Sequence, residues 1–143
     1  MGIYIFDLDD TITSIEKRRH FLNKDVRNDI NWVEFFDACD TDDPKISTIN
    51  ICNALYEAGF TIYIWSGRSE RVKDKTIKWL KDNNVKYHEL KMRPIGNYTK
   101  DKTLKKRWLD NCKDRDDIIA AFDDREAISE LWIKENIPLF HVK

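Results

Sequence analysis

Ile3-Tyr4-Ile5-Phe6-Asp7-Leu8-Asp9-Asp10-Thr11 decides how the rest of this 143-residue chain is read. Four apolar, β-prone residues make a run too short for a helix, but suited to a strand buried on both faces. Asp7, Asp9 and Asp10 follow at once, so the strand ends at Asp7 and the chain turns. Asp7 and Asp9 are two apart and would share a face if the strand continued. Because Asp9 lies past the strand end, the two carboxylates can do different work.

The same arrangement recurs downstream. Phe60 to Trp65 is a second β-prone run and ends at Ser66-Gly67-Arg68. A weaker strand is expected around Val85 to Leu90. Ile118 to Phe122 is another buried strand, ending at Asp123-Asp124, and Pro138 to Val142 is the last. Helical periodicity lies between these runs. Ser47 or Thr48 is the expected cap of a helix carrying Ile49, Cys52, Leu55 and Tyr56, with Gly59 as its stop. Ser69 is expected to cap the next, with Val72, Thr76, Trp79 and Leu80 inward and Asn83-Asn84 as the stop. Residues 101–112 and the segment around Ala127, Ile128, Leu131 and Trp132 complete the pattern. Alternating strands and helices give an α/β fold with a parallel sheet and helices on both faces. Ligands then sit at the carboxyl ends of the strands, where the acidic pairs and Ser66-Gly67-Arg68 converge on one crevice.

Composition narrows the functional class. Lys and Arg number 25, Asp and Glu 26, for a net charge of −1. The chain is neither a basic nucleic-acid wrapper nor an acidic tail. No apolar run approaches a membrane span, and Met1 to Phe6 lacks the features of a signal peptide. Phe6 stands where myristoylation would need Ser or Thr. Cys39, Cys52 and Cys112 form no CxxC pair, so a reducing cytoplasm is expected. The charge is uneven: residues 81–115 hold eleven basic and five acidic residues, which leaves −7 for the remainder. That stretch reads either as a solvated helix face or as a basic flank for a polyanion.

Four carboxylates in one crevice, Asp7, Asp9, Asp123 and Asp124, repel one another. Mg²⁺, which favours a few carboxylates plus substrate phosphate, would relieve that repulsion. One of the first pair can be nucleophile and ligand, the other general acid and base. Ser66 offers a hydroxyl to a phosphate oxygen, and Lys102 or Lys105 can neutralise charge on a phosphoryl group. Asp101 is one helical turn from Lys105.

Asp7-Leu8-Asp9-Asp10-Thr11 resembles the first motif of the haloacid dehalogenase (HAD) superfamily of phosphohydrolases, although Gly is commonest at the position of Asp10. Ser66 fits the second motif, Lys105 or Lys102 the third and Asp123-Asp124 the fourth, in order along nearly the whole chain. Within that superfamily the chain is similar to the 3'-phosphatase domains of T-even phage polynucleotide kinase-phosphatases. The likeness rests on Arg18, Cys39-Asp40-Thr41-Asp42, Trp65-Ser66-Gly67-Arg68, Arg93 with Asp101 and Lys105, and Phe122-Asp123-Asp124-Arg125 followed by Trp132. The resemblance implies one HAD-like Rossmannoid domain over 1–143, with a small cap inserted at about 13–45. It implies an Mg²⁺-dependent phosphomonoesterase with Asp7 as nucleophile and Asp9 as general acid and base. Asp7, Asp9 through its main-chain carbonyl, Asp123 and Asp124 would surround the metal. Ser66 and Lys105 would hold the phosphoryl group, with Asp101 positioning Lys105. Arg18, Arg68, Arg93, Arg125 and Thr11 would bind or organise the substrate, a 3'-phosphate end of DNA or RNA. No Walker-type glycine loop accompanies these motifs, so no kinase half is expected.

Two other functions fit parts of the pattern. A mononucleotide phosphatase could use Trp32, Phe35 and Phe36 of the cap as a base site, although helical spacing also suits them as cap core. A non-catalytic HAD-like binding module would have no need of a general acid. His20, His88 and His141 receive no catalytic role.

Overall fold

The computed structural model describes residues 2–22 and 29–143, with backbone alone for 29–31. Its main sheet has five parallel strands, β1 (Ile3–Phe6), β4 (Thr61–Ser69), β5 (Glu89–Arg93), β6 (Ile118–Asp123) and β7 (Leu139–His141). Their order across the sheet is β5-β4-β1-β6-β7. The first strand is therefore central, and the chain builds outward from it in both directions. Crossover helices are α2 (Ile46–Glu57), α3 (Lys73–Asp82), α4 (Asp101–Asp110) and α5 (Glu126–Lys134). Between β1 and α2 the chain makes an excursion containing α1 (Asp29–Asp37) and two short 3₁₀ turns. Two short strands, β2 (Thr13–Ser14) and β3 (Asp43–Pro44), pair antiparallel and bring its ends together.

Strand periodicity sorts the core into two layers. Phe6, Ile62, Ile64 and Phe122 pack with Ile49 and Cys52 of α2 and Trp79 and Leu80 of α3. Ile3, Ile5, Trp65 and Ala121 pack with Leu109 of α4 and Ile128 and Trp132 of α5. Helices thus cover both faces, as the alternating pattern predicts. The continuous apolar runs reflect burial on both sides. Asp7 and Asp123 continue the period of Ile5 and Ala121, so both face the α4 layer.

Several boundaries differ from the sequence expectation. The helix expected to start at Ser47 or Thr48 begins at Ile46 after Lys45, with no side-chain cap, and Thr48 is buried. Ser47 stays exposed, and neither hydroxyl residue caps the helix. Ser69 does cap, accepting the Arg71 N–H at 3.2 Å, but a 3₁₀ turn intervenes before α3. The strand expected around 85–90 is shifted to Glu89–Arg93. Val85 belongs instead to the core under α3. Ser66-Gly67-Arg68 lies inside β4 rather than after it, with a register shift between Ser66 and Ser69.

Candidate active site

After Phe6 the backbone wraps around one carbonyl. The Leu8 carbonyl accepts the N–H groups of Thr11, Ile12 and Thr13 at 3.2, 2.9 and 3.0 Å. Asp10, at the tip of this turn, has φ of 60°. That left-handed conformation is open to glycine and next best to Asp and Asn, which accounts for Asp where Gly is commonest. Its carboxylate accepts the Ile15 N–H at 3.1 Å and pairs with Arg19 at 2.8 Å. The turn sends Asp7 and Asp9 into different surroundings.

Asp7 faces α4. Lys105 places Nζ 2.9 Å from Asp7 Oδ1 and 3.1 Å from Asp123 Oδ2, with all three groups buried. The Thr11 hydroxyl lies 3.1 Å from Asp124 Oδ1 and 3.4 Å from Asp7 Oδ2. Carboxylate oxygens of Asp7, Asp123 and Asp124 all lie within 4.8 Å of one another. Burial raises the Asp7 carboxyl well above the usual range, against the pull of Lys105 and with added repulsion from Asp123 and Asp124. Burial also raises Asp124, with Asp123 adding to the shift. Burial would lower Lys105, but Asp7 and Asp123 hold it above the ordinary lysine value. Three hard oxygen donors under mutual strain, with one cation among them, fit Mg²⁺ well. The Asp9 carboxylate is not in this cluster.

Asp9 faces the excursion. Arg18 Nη2 and Arg68 Nη2 both contact its Oδ1, at 2.7 and 2.5 Å. Its Oδ2 engages no hydrogen-bond partner among the described residues. Arg18 also grips Asp42 with two nitrogens at 2.7 Å, donates to the Phe35 carbonyl and lies 4.3 Å over the Phe35 ring. Arg68 reaches Asp42 at 3.4 Å and Thr76 at 2.9 Å. Trp79 donates its indole N–H to the Asp42 carbonyl. Burial would raise the Asp9 carboxyl, but Arg68 and Arg18 together hold it below the usual carboxylate range.

The four arginines expected to bind or organise the substrate stand in different surroundings. Arg18 and Arg68 are fully buried and neutralise Asp9 and Asp42. Arg93 donates to the Gly67 carbonyl at 2.8 Å, to the Thr99 carbonyl and to Asp101. Arg125 stays half exposed and contacts the other oxygen of Asp101. Asp101 thus bridges two arginines and reaches Lys105 only through its field. All four arginines have carboxylate partners, Asp9 and Asp42 for Arg18 and Arg68, and Asp101 for Arg93 and Arg125. Lys102 pairs at the surface with Glu130, whereas Lys105 enters the cluster. Ser66 is buried, and its hydroxyl oxygen accepts the Arg68 N–H at 3.1 Å. Thr11 is likewise enclosed rather than open to a ligand.

Sequence reading overlooked two neighbours. His141 Nε2 lies 2.8 Å from the Asp124 carbonyl. Only the pairing of β7 beside β6 brings it there. Lys45 donates to the Asp10 carbonyl at 2.7 Å, across the neck of the excursion. No short motif marks either contact.

Residues 2–143 match the family described as the polynucleotide kinase PNKP phosphatase domain. The chain belongs to this family. It is a HAD-type phosphatase domain, a phosphoric monoester hydrolase, with the strand order and crevice described above. The PNKP-type phosphatase domain is 28% identical over 111 residues to a protein of Autographa californica nuclear polyhedrosis virus described as a bifunctional polynucleotide kinase/RNA ligase. That match covers 76% of this chain and 16% of the viral protein. A chain in the Pnkp1/Rnl/Hen1 RNA repair complex superposes with a TM-score of 0.81 at 23% identity, over 99% of this domain and 42% of that chain. The class C acid phosphatase of Bacillus anthracis superposes with a TM-score of 0.64 at 14% identity, over 99% of this domain and 67% of that chain. The domain spans under half the length of the viral protein and of the repair-complex chain.

Proposed function

We propose that this PNKP-type domain removes 3'-phosphates from DNA or RNA ends, using Mg²⁺ and an aspartyl-phosphate on Asp7. The observation that carries the chemistry is the separation of two carboxylates two residues apart: Asp7 sits with Lys105, Asp123 and Asp124, while Asp9 sits in an arginine clamp. In this mechanism an Asp7 oxygen attacks phosphorus, and the bond from phosphorus to the sugar oxygen breaks. Asp9 gives that oxygen a proton. Water then attacks phosphorus of the acyl phosphate, Asp9 accepts its proton, and the Asp7 carboxylate is restored with release of inorganic phosphate. The clamp favours the ionised Asp9, the form that activates water. Since both guanidinium groups hold Oδ1, Oδ2 is the oxygen available to carry the proton. Lys105 and Ser66 bind the phosphoryl oxygens. Asp7, Asp123, Asp124 and the Asp9 carbonyl hold Mg²⁺, which supplies charge neutralisation as negative charge gathers on the phosphoryl group. Arg18 and Arg68 organise the site by fixing Asp9, and Arg93 and Asp101 by fixing the loop before α4. Arg125, the most exposed of the four arginines, meets the substrate. The excursion between β1 and α2 serves as the small cap expected at about 13–45, of which residues 23–28 lie outside the described residues. Membrane attachment is not part of this proposal; among the described residues no helix is long and apolar enough to cross a membrane.

Family membership supports a nucleic-acid end as substrate. The test is phosphate release with Mg²⁺ from a 3'-phosphorylated oligonucleotide, its 5'-phosphorylated twin and free 3'- and 5'-mononucleotides. EDTA and Asp7→Asn are the controls. Preference for the 3'-phosphorylated oligonucleotide is expected. Better turnover of free mononucleotides would move the substrate to the nucleotide pool.

A further inference from the structure

The segment between β5 and α4 is held on one side and bare on the other. Pro94 to Asn97 form a tight turn, with the Asn97 N–H donating to the Pro94 carbonyl at 3.1 Å and Gly96 at φ of 81°. That φ at the third position is a type II turn. Asn97 Oδ1 accepts the Thr99 N–H at 2.9 Å. The Arg93 guanidinium ties the Thr99 carbonyl to Asp101 and to the Gly67 carbonyl, one residue from Ser66. This fixed loop nevertheless exposes Tyr98 at 89% and Ile95 at 71%. Among the described residues no ring stacks on Tyr98 and its hydroxyl has no partner.

The charge beside it is also unspent. In the basic stretch, Lys86, Lys91, Lys102, Lys106 and Arg115 each lie against a carboxylate. Lys100 and Arg107 have no acidic partner among the described residues, and Arg107 lies 3.5 Å from the Thr99 hydroxyl. An exposed aromatic on a loop whose backbone is tied to the residue beside Ser66, with Lys100 two positions on and Arg107 against Thr99, matches the two needs of a single-stranded nucleic acid: a face for a base and positive charge for its backbone. The competing surface is Trp32, 41% exposed. Its ring is already packed against Phe36 at 5.8 Å and Phe35 at 5.9 Å.

We infer that Tyr98 is a base-stacking platform for the end of the nucleic-acid substrate, with Lys100 and Arg107 contacting the backbone phosphates nearby. This deepens the proposed function and rests on its nucleic-acid substrate. The test compares steady-state kinetics on a 3'-phosphorylated single-stranded oligonucleotide and on glycerol phosphate, which has no base. Tyr98→Ala is expected to raise KM for the oligonucleotide by about tenfold. It should leave kcat and the glycerol phosphate reaction unchanged, and Tyr98→Phe should restore KM. An unchanged KM in Tyr98→Ala overturns the platform. So does an equal loss on both substrates, which would mean a damaged site, or a loss produced by Trp32→Ala instead. If the wild-type protein hydrolyses glycerol phosphate but not the oligonucleotide, the nucleic-acid reading itself fails and the platform falls with it.

Discussion

A Cβ placed on Gly67 would stand 2.4 Å from Asp101 Oδ1 and 2.8 Å from its Cγ. Glycine here makes room for the carboxylate that joins Arg93 to Arg125 beside the phosphoryl pocket. Gly67→Ala must displace the Asp101 carboxylate from its places on Arg93 and Arg125. The expected cost is about 1–3 kcal/mol in denaturant unfolding, with lower turnover. Wild-type stability and turnover together would show that this close approach is dispensable.

Arg18 and Asp42 form a buried bidentate pair across the excursion. Removing one partner strands the other without water. Arg18→Ala should therefore destabilise by about 3–5 kcal/mol. The double variant Arg18→Ala with Asp42→Ala should cost less than the two single losses added, and equilibrium unfolding of all four proteins reads the difference. Additive losses would mean that the two side chains act independently.

The division between the first two carboxylates predicts different kinetic defects. Asp7→Asn should abolish phosphate release while the fold persists by circular dichroism. Asp9→Asn should slow turnover by about 10²–10⁴-fold. Less than a tenfold loss would remove Asp9 from proton transfer.

Acid titration of the metal-free protein should show two opposed effects. Burial and neighbouring carboxylates raise Asp7 and Asp124, so ionising them costs stability as pH rises above the unfolded carboxylate value of about 3.9. Against burial, Arg68 and Arg18 lower Asp9, so its contribution is complete above that same value and is lost as pH falls through its lower folded value. Thermal stability should rise as pH drops from neutral toward about 4, then fall. Asp7→Asn should flatten the rise. If the variant keeps the full rise, Asp7 is not its source.

Mg²⁺ should raise the melting temperature by relieving repulsion among Asp7, Asp123 and Asp124. Saturation to a hundredfold over Kd corresponds to about 2.7 kcal/mol. EDTA should reverse the shift, and Asp124→Asn should shrink it. An absent shift at any Mg²⁺ concentration that supports turnover would place the metal elsewhere.

Local sequence determines a large part of this fold, for identifiable reasons. Apolar strands ending in carboxylates are short-range patterns, so Ile3–Phe6 with Asp7 and Ile118–Phe122 with Asp123 were legible without any partner. Ser69 as a cap and Asn84, with its φ of 55°, as a helix stop depend on neighbours within a turn. The motif order along the chain likewise named the residues of the crevice. Expectations failed where long-range packing decided. Thr48 is a buried residue inside α2 instead of its cap, and the strand before α4 shifted toward Arg93 to pair with β4.

Side-chain partners were beyond the sequence because an arginine has the same composition and spacing whether it meets a substrate or a buried carboxylate. Arg18 and Arg68 are 50 positions apart in sequence, and only the fold joins them on one oxygen of Asp9. Lys105 and Lys102 both precede the same acidic pair, but the pitch of α4 directs one to Asp7 and the other to Glu130. Which chemistry this chain carries was written in residue types set at strand ends. Which charges remain free for a substrate was decided by the three-dimensional pairing of those residues, since a buried charge takes the nearest partner the fold supplies.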